Sequence, residues 1–394
     1  MSSFLKENKQ SFSTNKLSSQ PKVALVHDDF VQVGGAESLF VTIASIWPDA
    51  PIYTSLINWD KLPQSIDRDR IKTSFMQKIP FAIKFYKLLL PIYPLAFESF
   101  NFDNFDLVIS STTRFAKSII TKPKTIHICY ANSLPRFLWD QKAQKNYLPL
   151  TLRFILRLFF SWLRRWDKVA AKRVDCYIAN SQNVSQLVTK IYGVDSQVVY
   201  PFADINFFKP AKIHNWQLKN QKYFLVVNRL VRWKKIDIAV EAAINLGINL
   251  KIVGVGPDGS RLKKLITRNY KSETRNKIEF LDRVSINQLR QLYQNSQALI
   301  VTQEEDFGIS AVEAQACGIP VIAFSKGGQQ ETVITGKTGV LFNKQSESSL
   351  KDAIAAASRI KWSVSACRNN SLKFKRAVFI RNLKTQVNKY AIQS

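Results

Sequence analysis

The hydrophobic and polar positions of the chain alternate between two periods. Short apolar runs, rich in valine, isoleucine and leucine, predict buried strands, and apolar residues at helical spacing lie between them. The predicted strands cover residues 22–27, 50–56, 107–110, 125–130, 175–179 and 197–200, and then 223–227, 250–253, 278–281, 298–302, 321–324 and 340–342. Strands that alternate with helices predict parallel sheets, and hence an α/β fold with two doubly wound halves that face each other across a cleft.

The pattern breaks once, between the two series of strands. Residues 201–210 contain two prolines and three phenylalanines in no regular spacing, and polar residues follow up to position 220. We therefore expect five segments: a disordered polar tail over 1–20, an N-terminal domain over 21–204, a linker over 205–220, a C-terminal domain over 221–365, and a helical segment over 366–394.

One strand–loop–helix unit of the second half combines acidic residues with a tight loop. Its predicted strand is followed by Glu305, and then by Phe307 and Gly308, where a glycine permits close backbone approach. A helix is predicted from Ile309, with Glu313 one turn inside it. Because open α/β sheets bind ligands beyond the carboxyl ends of their strands, we expect a ligand at this edge.

Two cations follow the first predicted strand of the same half. Arg229 can bind phosphate through two N–H groups, and Lys234 adds a mobile positive charge. The predicted helix start at Ile309 and Ser310 directs backbone amides to the same edge, and Glu313 can accept hydrogen bonds from a ribose diol. A solvated basic loop is the alternative for the two cations alone. Together these groups predict a site for a nucleoside diphosphate.

The first half offers a weaker signal of the same kind. Gly34 and Gly35 lie between the first predicted strand and helix, where they would let backbone amides approach a phosphate, or merely permit packing. Asp28 and Asp29 precede them and could contribute to a metal site. Since no further ligand cluster is visible, we interpret them as loop carboxylates or caps and expect no metal.

The charge of the chain implies an acidic partner. It has 57 lysines and arginines against 29 acidic residues, a net charge of +28. Nucleic acid, an anionic membrane surface or a phosphorylated ligand would suit this balance. Residues 150–173 alternate bulky apolar groups with arginines, and residues 79–100 are predicted to be helical, with Lys84 and Lys87 interleaved. The stretch 150–173 is an amphipathic helix with one core face or a basic, aromatic-flanked surface that lies on anionic lipid, and both interpretations can hold at once.

Cysteine usage and the first residues indicate a compartment. The four cysteines are far apart and mostly in apolar settings, which is typical of buried thiols in a reducing environment. Residues 1–20 lack the apolar core of a signal peptide, and no apolar run reaches the roughly 18 residues of a spanning helix. We therefore expect a cytoplasmic protein, peripherally associated with the inner face of the membrane.

At this point the motifs carry a family resemblance. The run E-E-D-F-G-I-x-x-V-E-A-x-A-C-G-x-P-V-I-A at residues 304–323 resembles the E-x7-E signature of retaining, nucleotide-sugar-dependent glycosyltransferases of family 4, in glycosyltransferase group 1. Five further motifs agree in order: G-G-A-E at 34–37, H-I-C-Y at 127–130, V-V-Y-P-F-A-D at 198–204, V-N-R-L-V-x-x-K-K-I-D at 227–237 and V-G-V-G-P at 253–257. The resemblance implies the GT-B fold, with Rossmann-like domains for the acceptor in the first half and the nucleotide sugar in the second.

The resemblance also implies roles for individual residues. Arg229 and Lys234 would bind the donor diphosphate, Glu313 the nucleotide ribose, and Glu305 the hydroxyls of the transferred sugar. The implied donor-binding residues are Gly34, Gly35, Arg229, Lys234, Glu305, Phe307, Gly308, Ile309, Ser310 and Glu313, and the implied catalytic residues are Asn132, Arg229, Lys234 and Glu305. Members of the family need no metal. The E-E-D-F-G-I variant is similar to mannosyltransferases, which favours GDP-mannose over a UDP-sugar as donor.

One departure from the family pattern concerns the first half. Relatives carry H-x-C-Y-x-H-T-P-x-R-Y-x-W-D, whereas this chain has H-I-C-Y-A-N-S-L-P-R-F-L-W-D, with Asn132 in place of the second histidine. Asparagine can donate a hydrogen bond but cannot carry a proton. A catalytically weakened homologue is therefore an alternative, as is an epimerase or hydrolase of sugar nucleotides.

The resemblance leads us to expect transfer of a sugar to a glycan or lipid-linked acceptor in surface polysaccharide or glycolipid synthesis. A nucleic-acid-binding protein is a remote alternative that the charge alone would favour. The chain lacks the aromatic and basic signatures of RNA-binding modules, so we expect no nucleic acid partner.

Overall fold

Two parallel β-sheets with helices on both faces make up the structure. It is a computed structural model that describes residues 21–32, 34–140, 153–211, 223–269 and 277–392. The predicted polar tail over residues 1–20 lies outside these ranges, as do residues 212–220 of the predicted linker. The α/β class and the two doubly wound halves predicted from the sequence are confirmed.

The first sheet contains seven strands. Their bounds are β1 Val23–His27, β2 Ile52–Thr54, β3 Ile71–Thr73, β4 Leu107–Thr112, β5 Ile126–Ala131, β6 Cys176–Ala179 and β7 Ser196–Val198. Their order is β3-β2-β1-β4-β5-β6-β7, and neighbouring strands are parallel. The central strands are buried on both faces, which explains why they are continuous apolar runs rather than alternating ones.

The second sheet contains six parallel strands. Their bounds are β8 Tyr223–Val227, β9 Leu250–Val253, β10 Ile278–Leu281, β11 Ser296–Val301, β12 Val321–Phe324 and β13 Gly339–Phe342. Their order is β10-β9-β8-β11-β12-β13. The chain order reverses between β8 and β11, which are neighbours in space although far apart in sequence. The loops that follow these two strands therefore start side by side, at the place where such sheets bind ligands.

The helices cover both faces of each sheet. Those of the first half are α1 Gly35–Ile46, α2 Ala82–Phe85, α3 Tyr93–Glu98, α4 Arg136–Trp139, α5 Arg153–Ala171 and α6 Gln182–Tyr192. Those that follow are α7 Ile236–Leu246, α8 Gly259–Asn269, α9 Ile286–Asn295, α10 Ile309–Ala316, α11 Gln329–Thr332, α12 Glu347–Ser358, α13 Val364–Ser371 and α14 Arg376–Ile392. Over the described ranges, the structure has no helix with the length and apolar character needed to cross a bilayer.

The last helix, α14, returns to the first half. Its residues Phe379, Leu383 and Val387 are buried in the core cluster that also contains Leu25 of β1 and Ile109 of β4. The predicted helical segment over residues 366–394 thus covers the first sheet and ties the two halves together. The predicted domain boundaries at residues 204 and 220 stay predictions.

The helical prediction for residues 79–100 is only partly right. Two short helices, α2 and α3, flank a 3₁₀ turn at Leu90–Ile92. Pro91 and Pro94 lack the backbone N–H that a continuous helix requires, so each can stand only in a first turn. Phe81, just before α2, has φ +58°, a left-handed conformation that a bulky side chain rarely adopts.

Candidate active site

The candidate site begins where the loops after β8 and β11 meet. After β8 the chain forms a 3₁₀ turn, Arg232–Lys234, and after β11 it forms the acidic loop at residues 303–308. The hydroxyl of Thr302 donates a hydrogen bond of 2.8 Å to the carbonyl oxygen of Lys234, which holds the two loops together. This contact follows from the adjacency of the two strands.

Lys234 and Glu305 form a largely buried ion pair at this junction. The Lys234 ammonium donates to Glu305 Oε1, which also accepts a 2.6 Å hydrogen bond from the side-chain amide of Gln303. Burial alone would raise the pKa of Glu305, but the charge and hydrogen bond of Lys234, together with Arg136 and the hydrogen bond from Gln303, hold that pKa below its usual value. An ammonium has three N–H donors. Lys234 can therefore keep its bond to Glu305 and still donate to a phosphate.

Arg136 of the first half reaches the same loop. Its Nη2 lies 2.8 Å from Asp306 Oδ2, and its guanidinium lies 5.1 Å from the ring centroid of Trp233. The Lys234 ammonium lies 4.3 Å from the same centroid. We call Arg136, Trp233, Lys234, Glu305 and Asp306 the cleft cluster. It joins the two halves directly beside the acidic loop.

Sequence reasoning missed Arg136. The residue stands in the run P-R-F-L-W-D, which was compared with the family only for the position of Asn132. Its place after strand β5 was the available signal, because that strand also ends at the edge of a parallel sheet.

Arg229 occupies a more open position than Lys234. Its side chain is exposed, and Nη1 donates a 3.4 Å hydrogen bond to Gln32 Oε1 of the first half. The two predicted phosphate ligands therefore differ: one cation lies inside the cleft cluster and the other lies at an exposed rim. Each cation lies beside a side chain of the first half: Lys234 lies in the cleft cluster with Arg136, and Arg229 contacts Gln32.

The start of helix α10 faces the first half closely. A Cβ atom on Gly35 would lie 3.3 Å from Ile309 Cδ1. Gly308 precedes the helix with φ +93°, and a Cβ atom there would lie 2.2 Å from Nε2 of the buried Gln329. Any larger residue at position 308 would clash and be strained. The missing side chain at Gly35 thus leaves room for Ile309 of the opposite half, and that at Gly308 leaves room for Gln329 of its own half.

Three further predicted donor residues lie around this helix. Phe307 is buried against Tyr200 and Phe374, with ring centroids 5.9 Å and 5.3 Å away, so its side chain belongs to the core of the second half. Ser310 is half-buried. Glu313 accepts a 2.9 Å hydrogen bond from the hydroxyl of Tyr293, and burial raises its pKa to about 7.

Asn132 lies at the end of strand β5 with its donor atoms turned into the first half. Its Nδ2 donates a 2.9 Å hydrogen bond to the hydroxyl of Ser111, and its backbone oxygen accepts one of 2.6 Å from Asn180. Only a small part of the residue is exposed.

The acidic residues near Gly34 are held by the protein itself. Asp28 is buried and accepts hydrogen bonds from the backbone amides of Arg114, Phe115 and Ala116 at 2.8–3.0 Å. Asp29 forms an ion pair with Arg114. Asp28 thus caps this loop, whereas Asp29 is a buried ion-pair partner and not a solvated loop carboxylate. In the described ranges, no group of three or more histidine, cysteine or acidic side chains is placed to hold a metal ion.

Comparison with known proteins bears first on the second half of the chain. Residues 209–374, less than half of the chain, match the family model for glycosyl transferases group 1. The resemblance found in the motifs is thus confirmed over these residues, whereas the assignment to family 4 stays a prediction.

Curated relatives align over part of the chain. A glycosyltransferase of Methanocaldococcus jannaschii is 30% identical over 203 residues, which are 50% of this chain and 52% of the relative. The D-inositol 3-phosphate glycosyltransferase of Gordonia bronchialis is 30% identical over 212 residues, 48% of this chain and 46% of the relative. The chain therefore spans about half the length of these relatives.

Solved structures match over nearly the whole chain. Anabaena Alr3699/HepE in complex with UDP superposes with a TM-score of 0.67 at 19% identity, covering 93% of this chain and 100% of the other. Sucrose-phosphate synthase from Thermosynechococcus elongatus gives a TM-score of 0.70 at 18% identity, covering 95% and 100%. The chain has the GT-B fold.

The predicted site residues of this GT-B protein lie in different surroundings. Gly35, Lys234, Glu305, Gly308 and Ile309 line the place where the two halves approach each other. Arg229 lies at the exposed rim, and Glu313 lies deeper in α10. The side chain of Phe307 and the amide of Asn132 point into the cores of their own halves. Their roles toward a donor stay predictions.

Proposed function

We propose that this protein is a nucleotide-sugar-dependent glycosyltransferase that binds its donor on the second half and its acceptor on the first. The observation that carries the proposal is the convergence of one buried and one exposed cation, a helix N-terminus and half-buried carboxylates at one sheet edge, opposite Gly35. A nucleoside diphosphate needs these groups together, because its phosphates are anionic and its ribose offers two hydroxyls.

The donor would be oriented by residues with divided tasks. Lys234 and Arg229 bind the diphosphate, together with the amides at the start of α10. Glu313 accepts hydrogen bonds from the ribose, and Glu305, ionised beside Lys234, accepts them from hydroxyls of the sugar. Its ionised state suits that task because a carboxylate can accept bonds from two neighbouring hydroxyls.

The transfer would proceed with retention by displacement on the front face of the sugar. The departing β-phosphate takes the proton of the acceptor hydroxyl, so no side chain is required as general base. Lys234, Arg229 and the helix start stabilise the negative charge that grows on the phosphate. Neither a metal nor an organic cofactor enters this scheme.

GDP-mannose is the donor that the E-E-D-F-G-I sequence favours. The UDP bound to the Anabaena protein of the same fold makes UDP-sugars the comparison to test. The acceptor would be a glycan or a lipid-linked sugar of surface polysaccharide or glycolipid synthesis.

The test is release and transfer of labelled sugar from GDP-mannose and UDP-glucose by the full chain. Lys234→Ala and Glu313→Ala should each abolish turnover, whereas Lys235→Ala, at an exposed lysine beside the buried one, should retain it. Equal turnover of the wild type and both site variants would disprove the site assignment. Release of free sugar with no transfer to any acceptor would instead identify a hydrolase or epimerase.

A further inference from the structure

Residues 78–95 of the first half form an exposed surface of apolar and basic side chains, which we call the docking segment. Phe81, Leu88 and Leu95 are 74%, 75% and 58% exposed, and Phe85 is 46% exposed. Single exposed apolar residues are ordinary, but several within one short segment mark an interaction site.

The backbone of the docking segment explains why these side chains point outward. Ala82 and Tyr93 are buried in a core cluster of the first half and anchor the segment from beneath. Phe81 adopts its left-handed conformation just before the one-turn helix α2, and two prolines then prevent a regular helix. Strain of this kind at a bulky exposed residue is uncommon and is typical of functional segments.

The charge of the segment indicates the partner. No aspartate or glutamate occurs from Arg70 to Phe97, while Lys78, Lys84 and Lys87 are all exposed. Lys84 and Lys87 lie 5.5 Å and 5.9 Å from the ring centroids of the aromatic residues next to them. Aromatic side chains flanked by lysines are suited to the interface of an anionic bilayer. A second copy of the same surface would be repelled by its like charge.

Helix α5 packs on the same core as the docking segment. Its residues Phe160 and Leu163 belong to the same core cluster as Ala82 and Tyr93. On its outer side it exposes Leu158, at 76%, and Trp162, at 50%. The docking segment and this predicted lipid-facing helix thus pack on one core of the half that is proposed to bind the acceptor.

We infer that the docking segment inserts Phe81, Phe85 and Leu88 into the interface of an anionic lipid bilayer. The lysines contact the head groups, so the first half of the protein rests on the membrane. The use of such binding rests on the proposed function, since it would bring the acceptor-binding half to a lipid-linked acceptor. The binding of the docking segment to lipid does not itself depend on catalysis.

The first test is flotation of the full chain with vesicles of phosphatidylcholine alone or mixed with phosphatidylglycerol. The protein should float with the anionic vesicles only. Lys84→Gln with Lys87→Gln should lower the membrane partition coefficient by roughly fivefold for each lysine. The matched control is Leu246→Ser with Ile286→Ser, two exposed apolar residues of the second half, which should float like the wild type.

The second test locates the contact. The native cysteines at positions 129, 176, 317 and 367 are buried, so a cysteine introduced on the surface can be labelled selectively. An environment-sensitive dye on Leu88→Cys should shift to the blue with anionic vesicles, whereas the same dye on Ile286→Cys should not.

Two results would overturn the inference: equal recovery with neutral and anionic vesicles, or equal shifts at both labelled positions. A dimer that Leu88→Ser dissociates would assign the surface to self-association instead. Thermal shifts with GDP and UDP on the same variants separate the two proposals. If a variant of the docking segment loses flotation but keeps its thermal shift with nucleotide, the defect lies in membrane binding alone. If neither GDP nor UDP shifts the melting temperature of any variant or the wild type, the proposed function fails, whatever the flotation result.

Discussion

The contact between Arg136 and Asp306 should couple closure of the two halves to nucleotide binding. Their charged atoms lie 2.8 Å apart, with side chains 29% and 18% exposed. Two charges about 4 Å apart attract by roughly 4 kcal/mol at an effective dielectric constant of about 20. Desolvation and lost rotamer freedom offset most of this attraction, because exposed pairs contribute only about 0–1 kcal/mol. For this partly buried pair we expect a coupling free energy of about 1–2 kcal/mol.

Because the pair joins the halves, its loss should weaken nucleotide binding rather than folding. The perturbation is a double-mutant cycle of Arg136→Met and Asp306→Asn, with nucleotide affinity measured by calorimetry. The affinity should fall by up to about tenfold in each single variant, since 1.4 kcal/mol corresponds to a factor of ten. The double variant should resemble either single one.

A matched pair lies wholly within the first half. Arg173 and Glu98 are 2.6 Å apart, with side chains 28% and 22% exposed. Glu98→Gln should lower the melting temperature and leave nucleotide affinity unchanged. The reasoning is refuted if the effects of the two cleft substitutions on the free energy of nucleotide binding add within about 0.5 kcal/mol. It is also refuted if Glu98→Gln weakens nucleotide binding as much as Asp306→Asn does.

Three further predictions concern single positions. Burial raises the pKa of Glu313 to about 7, so the folded state binds an extra proton between the ordinary pKa of a glutamate and 7 and loses stability as pH rises through that window. Glu313→Gln should therefore stabilise the nucleotide-free protein by about 2–3 kcal/mol at pH 8 and by much less at pH 4.5. Equal effects of the substitution at the two pH values in urea unfolding would contradict this. Gly308→Ala should destabilise the protein by more than Gly336→Ala and weaken nucleotide binding, because both have positive φ but only the first Cβ would meet a side chain. Lys235 has φ +53°, so Lys235→Gly should stabilise the protein by up to about 1 kcal/mol in thermal unfolding, whereas Lys337→Gly, at ordinary φ, should destabilise it.

The sequence predicts the sheets well because buried parallel strands are continuous apolar runs. Lys234 and Glu305 are 71 residues apart, yet the topology rule places both at one sheet edge. What it could not predict is that they pair with each other, since that depends on the distance between two loops.

The sequence could not predict the contacts between the two halves for the same reason. The partner of Arg136 lies on another domain, and no local period encodes the distance between domains. The orientation of the Phe307 side chain could not be predicted either, because a phenylalanine in a loop can face either a ligand or the core. At residues 79–100, apolar spacing favoured a helix, whereas two prolines and the left-handed Phe81 determine the observed backbone.

The most direct test of the account is a calorimetric titration of the full chain with GDP and UDP, in the presence of a chelator. We predict saturable binding of at least one of them by the wild type and by Lys235→Ala. Binding should be lost in Lys234→Ala, since the buried cation opposite the start of α10 holds the diphosphate. Undiminished binding by Lys234→Ala, or no binding of either nucleotide by the wild type, would contradict the proposed donor site.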